Sequence, residues 1–300
     1  MRVEQPGDRR FAGMAGAFAV VLGMSMGALI AGLPGAGGGL LAGALTGLAL
    51  HRVLDRRTAR RRDAVATPFP GEWRDFLLEA YDHYERLPEE WRQRFERDLR
   101  LFLSEKRITG VGTETTDELR LLVAASAVTL SLGWPEYEWR QLTEVLLYAD
   151  DFDRDYTVGE DEVSGLAHPW GTVILSVPSL YQSFEYPDDG YHVGIHEFAH
   201  ILDVDHTHFD GIPVGLRGAL ADEWVGVMER EMERLRRNPR GSAFDPYGAH
   251  DPVEFLGVGV EAFFEMPQRV RRRHPEVYRI LSTYLGQDPA AWDDARGLLE

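Results

Sequence analysis

The amino-acid sequence predicts a mainly helical α+β domain that follows a pair of apolar helices at the N-terminus. Three observations lead to this prediction. Residues 11–50 carry no charged side chain, apolar side chains recur with helical spacing over much of residues 73–285, and short segments rich in Val, Leu and Ile lie between residues 144 and 177. Because helices with a small, separate group of strands are typical of α+β folds, we expect that class.

Charge is distributed unevenly along the chain, and it limits the possible functions. Residues 1–63 hold 9 Arg against 4 Asp or Glu, whereas the whole chain has a net charge of −17. Residues 64–300 are therefore strongly acidic, and because an acidic domain repels phosphate backbones, we expect no direct nucleic-acid binding. The chain has no Cys, so a metal ion would have to be held by His, Asp or Glu.

The uncharged segment 11–50 is long enough for two membrane spans, since one helical span needs about 20 residues. We predict spans at about 11–33 and 39–54, with a break in the Gly-rich stretch 34–39. Small residues recur at every fourth position in both halves, which lets two helices approach closely; they are Ala19, Gly23, Gly27 and Ala31, then Gly39, Gly43 and Gly47. Residues 1–63 are thus predicted to form a transmembrane helical hairpin in contact with membrane lipid.

Arginine residues flank the apolar segment on both sides. Arg9 and Arg10 precede it, and six Arg lie between residues 52 and 62. The positive-inside rule then places both ends, and the body of the protein, on the cytoplasmic side of the inner membrane. A cleaved signal peptide is a weaker alternative, because its apolar core is normally about 7–15 residues long. A Gly- and Ala-rich hairpin buried in a soluble fold or an oligomer is the other alternative.

Residues 64–300 are predicted to form one domain after a short Pro-containing linker at 67–70. Two or three helices lie between residues 73 and 108, with a break at Leu87 and Pro88. A helix start at Thr115 to Glu118 precedes a helix that reaches Leu132. The remaining predicted elements are strands at 144–148 and 172–177, a helix capped by Asp188 or Asp189, and helices at about 216–236, 252–265 and 275–285.

The helix after the predicted strands carries the sequence His196-Glu197-Phe198-Ala199-His200. On a helix, His196 and His200 project from the same face, so both imidazoles can bind one metal ion. A metal ion with an open position activates a bound water, and Glu197 can take the proton of that water as it attacks a carbonyl. This pattern predicts peptide hydrolysis with Glu197 as the catalytic base. Two buried histidines bonded to the backbone are the structural alternative.

A catalytic metal site needs a third ligand, and the sequence offers competing candidates. His206 lies ten residues after His196, which is the spacing of a three-histidine signature, but Asp203 stands where that signature has Gly. Glu254, on a later apolar helix, would instead give a site of two His and one Glu. Spacing alone does not choose between Glu254 and Glu261.

Residues 247–255, together with the motif at 196–203, resemble a known family. They are similar to the Tyr-plus-Glu segment of the Mlc titration factor A peptidases, which are related to the catalytic domain of anthrax lethal factor. The resemblance extends to residues 102–107, 144–148, 171–176, 261–264 and 284–289, but not to residues 1–63. It implies a zincin-like domain of the gluzincin type at 64–300. It also implies one catalytic Zn²⁺ held by His196, His200 and Glu254, with Tyr247 assisting catalysis.

Other polar residues near the motif have open roles. Tyr247 can donate a hydrogen bond to the oxyanion that develops on the attacked carbonyl. Asp203 is expected to orient a ligand histidine or to cap the helix end, and Glu261 is expected to support the ligands or to form a plain salt bridge. We expect His208 and His250, like His206 if it is not a ligand, to be solvated loop residues.

These observations predict a membrane-anchored, zinc-dependent peptidase that faces the cytoplasm and cleaves peptide or protein substrates. The alternative is a zinc-binding regulatory protein that sequesters a partner such as a transcription regulator. The repressor Mlc itself is not carried over from the family, because no surface in this sequence identifies it, and any protein partner is unknown. An intramembrane protease is disfavoured because His196 lies far beyond the apolar segment. This chain also has Ala262 where the family usually has an aromatic residue.

Overall fold

A computed structural model describes residues 1, 6–152, 163–204, 208–295 and 297. The chain divides into two units, Met1–Pro68 and Phe69–Glu300. The division falls within the Pro-containing segment 67–70 that the sequence marks as a linker.

The first unit contains helix α1 (Pro6–Ala66), whose backbone leaves the helical region at Ala31 and Gly32. Gly32 has a φ of 61°, a conformation that glycine adopts without steric cost. The predicted break at residues 34–39 therefore lies too far along the chain, because that stretch is helical. Pro34 falls in the first turn after the break, where its missing N–H removes no helical hydrogen bond.

Small residues on either side of this break lie in backbone contact. A Cβ atom built on Gly23 would meet the backbone of Gly39, and one built on Gly27 would meet the backbone of Gly35. Larger side chains at these positions would therefore force the backbones apart. Within the described residues, the segment Gly13–Ala49 of α1 is long and apolar enough to cross a membrane.

The second unit is mainly helical with a small mixed sheet, in agreement with the predicted α+β class. Its helices are α2 (Gly71–Ala80), α3 (Asp82–Arg86), α4 (Glu89–Glu105), α5 (Asp117–Ser131), α6 (Val177–Glu185), α7 (Val193–Asp203), α8 (Ala219–Arg237), α9 (Pro252–Glu265), α10 (Pro267–Arg273), α11 (Pro275–Leu285) and α12 (Pro289–Ala295). Its strands are β1 (Arg107–Val111), β2 (Glu144–Tyr148), β3 (Gly165–Ala167) and β4 (Thr172–Ser176).

The four described strands form one sheet in the order β1-β2-β4-β3. Strands β1, β2 and β4 are parallel, and β3 runs antiparallel to β4 at the edge. The sequence predicted helix up to Ile108, but α4 ends at Glu105 and Ile108 pairs with Val145 of β2. The β-branched residues Ile108, Thr109 and Val111 favour a strand once a partner strand supplies backbone hydrogen bonds.

Helix α7 lies at the centre of the second unit, and all of its residues are buried. It packs against α5, α9 and the edge strand β3. Its N-terminus is capped by His192, whose Nδ1 accepts a hydrogen bond from the Ile195 N–H at 3.2 Å. The predicted cap by Asp188 or Asp189 is wrong, because the helix starts later and Asp189 accepts from the Tyr191 N–H instead.

An ion pair joins the first helices of this unit. Arg74 of α2 donates two hydrogen bonds of 2.8 Å to the Glu96 carboxylate of α4, and Tyr84 of α3 donates a third of 2.6 Å. Burial opposes ionisation of Glu96, but the hydrogen bonds from Arg74 and Tyr84 outweigh it and lower the pKa of this carboxyl. Three helices thus share one charged acceptor.

We expect Glu96→Gln to lower the free energy of unfolding by about 1–3 kcal/mol at pH 7, because Arg74 and Tyr84 lose a charged acceptor. The folded-state pKa of Glu96 is depressed, so this contribution is complete above the unfolded pKa of about 4.3. It declines as the pH falls through the folded-state pKa. Urea unfolding at pH 7 and pH 3 measures the difference. The exposed Glu79→Gln is the control, and an equal loss at both pH values would contradict the assignment.

Candidate metal centre

Helix α7 holds three polar side chains of the motif close together. His196, Glu197 and His200 are each at most 9% exposed. The two imidazole rings lie with their centroids 4.7 Å apart and nearly perpendicular to each other. Buried polar groups at this density need specific partners, and α9 and β3 provide them for His196 and Glu197.

Helix α9 supplies two carboxylates that reach the histidines. The cap residue Asp251 accepts hydrogen bonds from the N–H groups of Val253 and Glu254 at 2.9 and 3.0 Å. Glu254 therefore lies in the first turn of α9, and Glu261 lies two turns later on the same side. Because α9 packs along α7, both carboxylates face the motif.

Three ligand atoms converge between these helices. Glu254 Oε2 lies 3.0 Å from His196 Nε2 and 3.8 Å from His200 Nε2. One potential ligand atom from each of the three residues lies within 4.8 Å of the others. The structure thus brings together His196, His200 and Glu254 as a possible metal site. His206, the competing third ligand, lies outside the described residues.

Glu261 contacts the opposite edge of the His196 ring. Its Oε1 forms a hydrogen bond with His196 Nδ1, so that Nε2 is left to face Glu254. Burial lowers the pKa of His196, but the charge of Glu261 and the hydrogen bonds to Glu254 and Glu261 outweigh this and raise that pKa well above 6.5. Both roles that the sequence left open for Glu261 fit this contact, because the carboxylate would pair with a charged His196 and would orient a metal-binding one.

A glycine on α9 makes room for the His196 ring. A Cβ atom built on Gly257 would lie 2.5–2.8 Å from three atoms of that ring. Any larger residue there would push the imidazole away from Glu254 and Glu261. Gly257 was not predicted from the sequence as part of the site. In the sequence it appears only as a small residue within a mainly apolar helix.

Glu197 faces the edge strand β3. A Cβ atom on Gly165 would lie 2.6 Å from Glu197 Oε1, so this carboxylate occupies space that only a glycine leaves free. The backbone of Ala167 also bonds to the carboxylate. Burial raises the pKa of Glu197 to about 8, and the nearby carboxylates of Glu254 and Glu261 add to that shift. Strand β3 was not predicted from the sequence, because it is only three residues long.

Tyr247 lies at the rim of the site, on a 3-10 helix (Pro246–Ala249) just before α9. Its ring centroid is 6.3 Å from that of His196, and 54% of the residue is exposed. Burial, the charge of Glu254 and a hydrogen bond to that carboxylate raise the pKa of the Tyr247 hydroxyl to about 12. The hydroxyl therefore keeps its proton at neutral pH and can act as a hydrogen-bond donor.

The hydrogen bonds of Asp203 run to the loop that follows α7, where the sequence left open a contact with a ligand histidine or a cap of the helix end. Its carboxylate accepts hydrogen bonds of 2.8–3.1 Å from the N–H groups of Asp210, Gly211 and Ile212. Burial raises the pKa of Asp203 to about 7, while these backbone donors oppose the shift. Asp203 thus holds the loop that follows α7 in place, because its buried carboxylate accepts the backbone N–H groups of that loop.

A cavity of about 690 Å³ opens onto these residues. His196, Glu197, His200, Glu254 and Glu261 all contribute to its wall. Much of the remaining wall is apolar and comes from Phe152, Val163, Leu166, Val193, Phe209, Val253 and Val258. A cavity of this size with a few convergent polar groups is typical of a substrate site.

Comparison with known proteins identifies relatives of this chain. The sequence model of a family described as glucose-regulated metallo-peptidase M90 matches residues 55–285. The uncharacterized protein slr2042 of Synechocystis is 30% identical over 244 residues, which cover 77% of this chain and 89% of that protein. Mlc titration factor A of Yersinia enterocolitica is 30% identical over 189 residues, or 58% and 68% of the two chains. Mlc titration factor A of Pectobacterium atrosepticum is 28% identical over 210 residues, or 63% and 77%.

The matched region contains α7 and α9, which carry the convergent His and Glu residues. The predicted resemblance to the Mlc titration factor A family is confirmed, and family membership points to a metallopeptidase that uses a metal ion. The chain belongs to the glucose-regulated metallo-peptidase M90 family.

Proposed function

We propose that this protein is a membrane-anchored, zinc-dependent peptidase whose catalytic unit faces the cytoplasm. The observation that carries the peptidase proposal is the convergence of His196, His200 and Glu254 beside the buried Glu197. Two imidazoles and one carboxylate are a common ligand set of catalytic zinc. Three protein ligands leave one position open for water or substrate.

The distances between the ligand atoms support a zinc ion of ordinary geometry. A tetrahedral ion with bonds of about 2.0–2.1 Å holds its ligand atoms roughly 3.4 Å apart. The separations of Glu254 Oε2 from His196 Nε2 and His200 Nε2, 3.0 and 3.8 Å, lie on either side of that value. Glu261 would hold His196 in the orientation that directs Nε2 to the ion.

Each polar residue around the ligands has a place in hydrolysis. When bound, zinc would acidify a water and polarise the substrate carbonyl. Glu197 would accept the proton of the attacking water and pass it to the leaving amine. Glu197 would be ionised at neutral pH if a divalent cation beside it offset its burial. Tyr247 would donate its hydroxyl hydrogen to the developing oxyanion.

The edge strand β3 offers a means of holding a peptide substrate. His168 N–H bonds to the Thr172 carbonyl, and Ser164 accepts from the Ser176 N–H. Alternate residues of β3 therefore bond to β4, and the backbone groups of Gly165 and Ala167 point the other way. Both residues line the cavity. An extended peptide could add to this edge as a further strand through Gly165 and the Ala167 carbonyl, because the Ala167 N–H already donates to Glu197.

A regulatory function is the second candidate, because two of the relatives are named Mlc titration factor A. In that case the protein would act by binding a transcription regulator, with or without cleavage. An intact Glu197 and Tyr247 favour catalysis, since a structural zinc site has four protein ligands and no need of a base.

We expect Glu197→Gln to retain zinc and to lose peptide cleavage, because the amide cannot accept the proton of water. We expect Glu254→Gln to lose zinc, and His206→Ala to change little. Zinc content by mass spectrometry and cleavage of a peptide library measure both properties. Unchanged cleavage by Glu197→Gln would contradict the mechanism. Retained zinc in Glu254→Gln together with lost zinc in His206→Ala would contradict the ligand assignment.

We expect Gly257→Ala to weaken zinc binding roughly 10- to 100-fold, the range seen when the support of a metal ligand is disturbed. The added methyl group would displace the His196 ring from Glu254 and Glu261. Gly259→Ala is a matched control on the same helix, because a Cβ atom there meets nothing within 4 Å. Competition with a chelator measures the affinity. Equal affinities of the two variants would contradict the proposed packing.

The first unit supports the proposal of a membrane anchor. Its apolar segment Gly13–Ala49 is long enough to enter a bilayer. The backbone contacts across Ala31 and Gly32 favour two antiparallel spans joined by a tight turn. Arg residues at both ends favour a location of those ends in the cytoplasm. We therefore propose a transmembrane hairpin in the inner membrane.

The absence of Cys from the chain allows a direct test of this topology. Leu33 is 90% exposed beside the turn. We expect Leu33→Cys to react with an impermeant maleimide added to intact spheroplasts. Glu72→Cys, in α2, should react only after lysis. The reverse pattern would contradict the orientation. Recovery of both variants in the soluble fraction would contradict the anchor.

A further inference from the structure

The ring of Tyr247 lies near two histidines. Its centroid is 6.3 Å from that of His196 and 6.1 Å from that of His250, and the Tyr247 and His250 ring planes make an angle of 19°. This nearly parallel arrangement is an offset aromatic stack. The sequence predicted His250 as a solvated loop residue, and it is indeed 72% exposed in its side chain.

A carboxylate holds His250 in this orientation. Asp251 Oδ2 lies 2.9 Å from His250 Nδ1, while Oδ1 of the same residue accepts the N–H groups of Val253 and Glu254. Because those bonds cap α9, the position of Asp251 is tied to the helix that carries Glu254. The His250 ring is therefore oriented relative to the candidate metal ligand.

The backbone of this turn is also fixed. Arg236 of α8 donates two hydrogen bonds, of 3.0 and 2.7 Å, to the Ala249 carbonyl. Asp245 Oδ1 accepts the Tyr247 N–H at 2.8 Å, and Gly248 packs against Val258 of α9. Apart from the hydrogen bond between its hydroxyl and the Glu254 carboxylate, the half-exposed side chain of Tyr247 remains free to rotate. A stacked ring restricts that rotation.

We propose that His250 is a positioning residue that holds the Tyr247 ring over the candidate metal site. It acts by stacking on Tyr247, and Asp251 sets its orientation. His250 itself touches no reacting atom. The inference rests on the proposed peptidase function, in which Tyr247 donates a hydrogen bond to the oxyanion. It explains how an exposed tyrosine side chain stays close to the place where that oxyanion would form.

Kinetics of the zinc-loaded full-length protein test the catalytic consequence. We expect His250→Ala to lower kcat roughly 10- to 100-fold, the range for a misplaced catalytic group, with KM and zinc content unchanged. His250→Phe should retain most of the activity, because it keeps a flat ring without the imidazole nitrogens. In a Tyr247→Phe background, His250→Ala should have no further effect. A full, independent loss in that background would overturn the proposal.

A second measurement does not depend on peptide cleavage. In protein labelled with 3-fluorotyrosine, the ¹⁹F signal of Tyr247 is the one that disappears in Tyr247→Phe. We expect this signal to shift and narrow in His250→Ala, because the ring gains freedom, and to stay in place in His250→Phe. His168→Ala, which removes a histidine stacked on Trp170, is the matched control.

The two measurements separate failure of the inference from failure of the proposed function. An unchanged Tyr247 signal in His250→Ala would overturn the positioning role, whatever the protein cleaves. A changed signal in a protein that cleaves no peptide would support the positioning of Tyr247 and would contradict the peptidase function alone.

Discussion

The packing of α7 on α9 is the constraint on which the candidate site depends. The two helices approach so closely at Gly257 that the His196 ring lies against the α9 backbone. This approach places Glu254 on one edge of the ring and Glu261 on the other. A side chain at position 257 would separate the helices or rotate the imidazole. The arrangement of the candidate ligands around His196 therefore requires a glycine at position 257.

The charges around the site suit a bound cation. Glu197, Glu254 and Glu261 are carboxylates around one cavity, and burial raises the pKa of Glu197 to about 8. Burial also lowers the pKa of His200 well below its ordinary value. Like charges this close disfavour joint ionisation. A divalent ion bound between neutral imidazoles would relieve the repulsion, so the same burial that destabilises the separate charges favours metal binding.

The edge strand and the rim of the site border the same cavity as the candidate ligands. Gly165 allows Glu197 to lie against β3, and the outward backbone of that strand borders the same cavity. Tyr247 stands on a turn that Arg236 and Asp251 hold at the start of α9. The groups that would bind a peptide and the groups that would cleave it therefore belong to three elements that all pack on α7 or α9.

The sequence by itself determined the chemistry of α7, since the spacing of His196 and His200 places both on one helix face wherever that helix lies. It also determined where α9 and α11 begin, because Pro in the first turn is a local signal of a helix start. Tertiary structure alone decided which carboxylate meets which nitrogen of His196, the role of Asp203, and the strands β1 and β3. These features depend on contacts between segments far apart in the chain. No local sequence pattern specifies which distant segments come into contact.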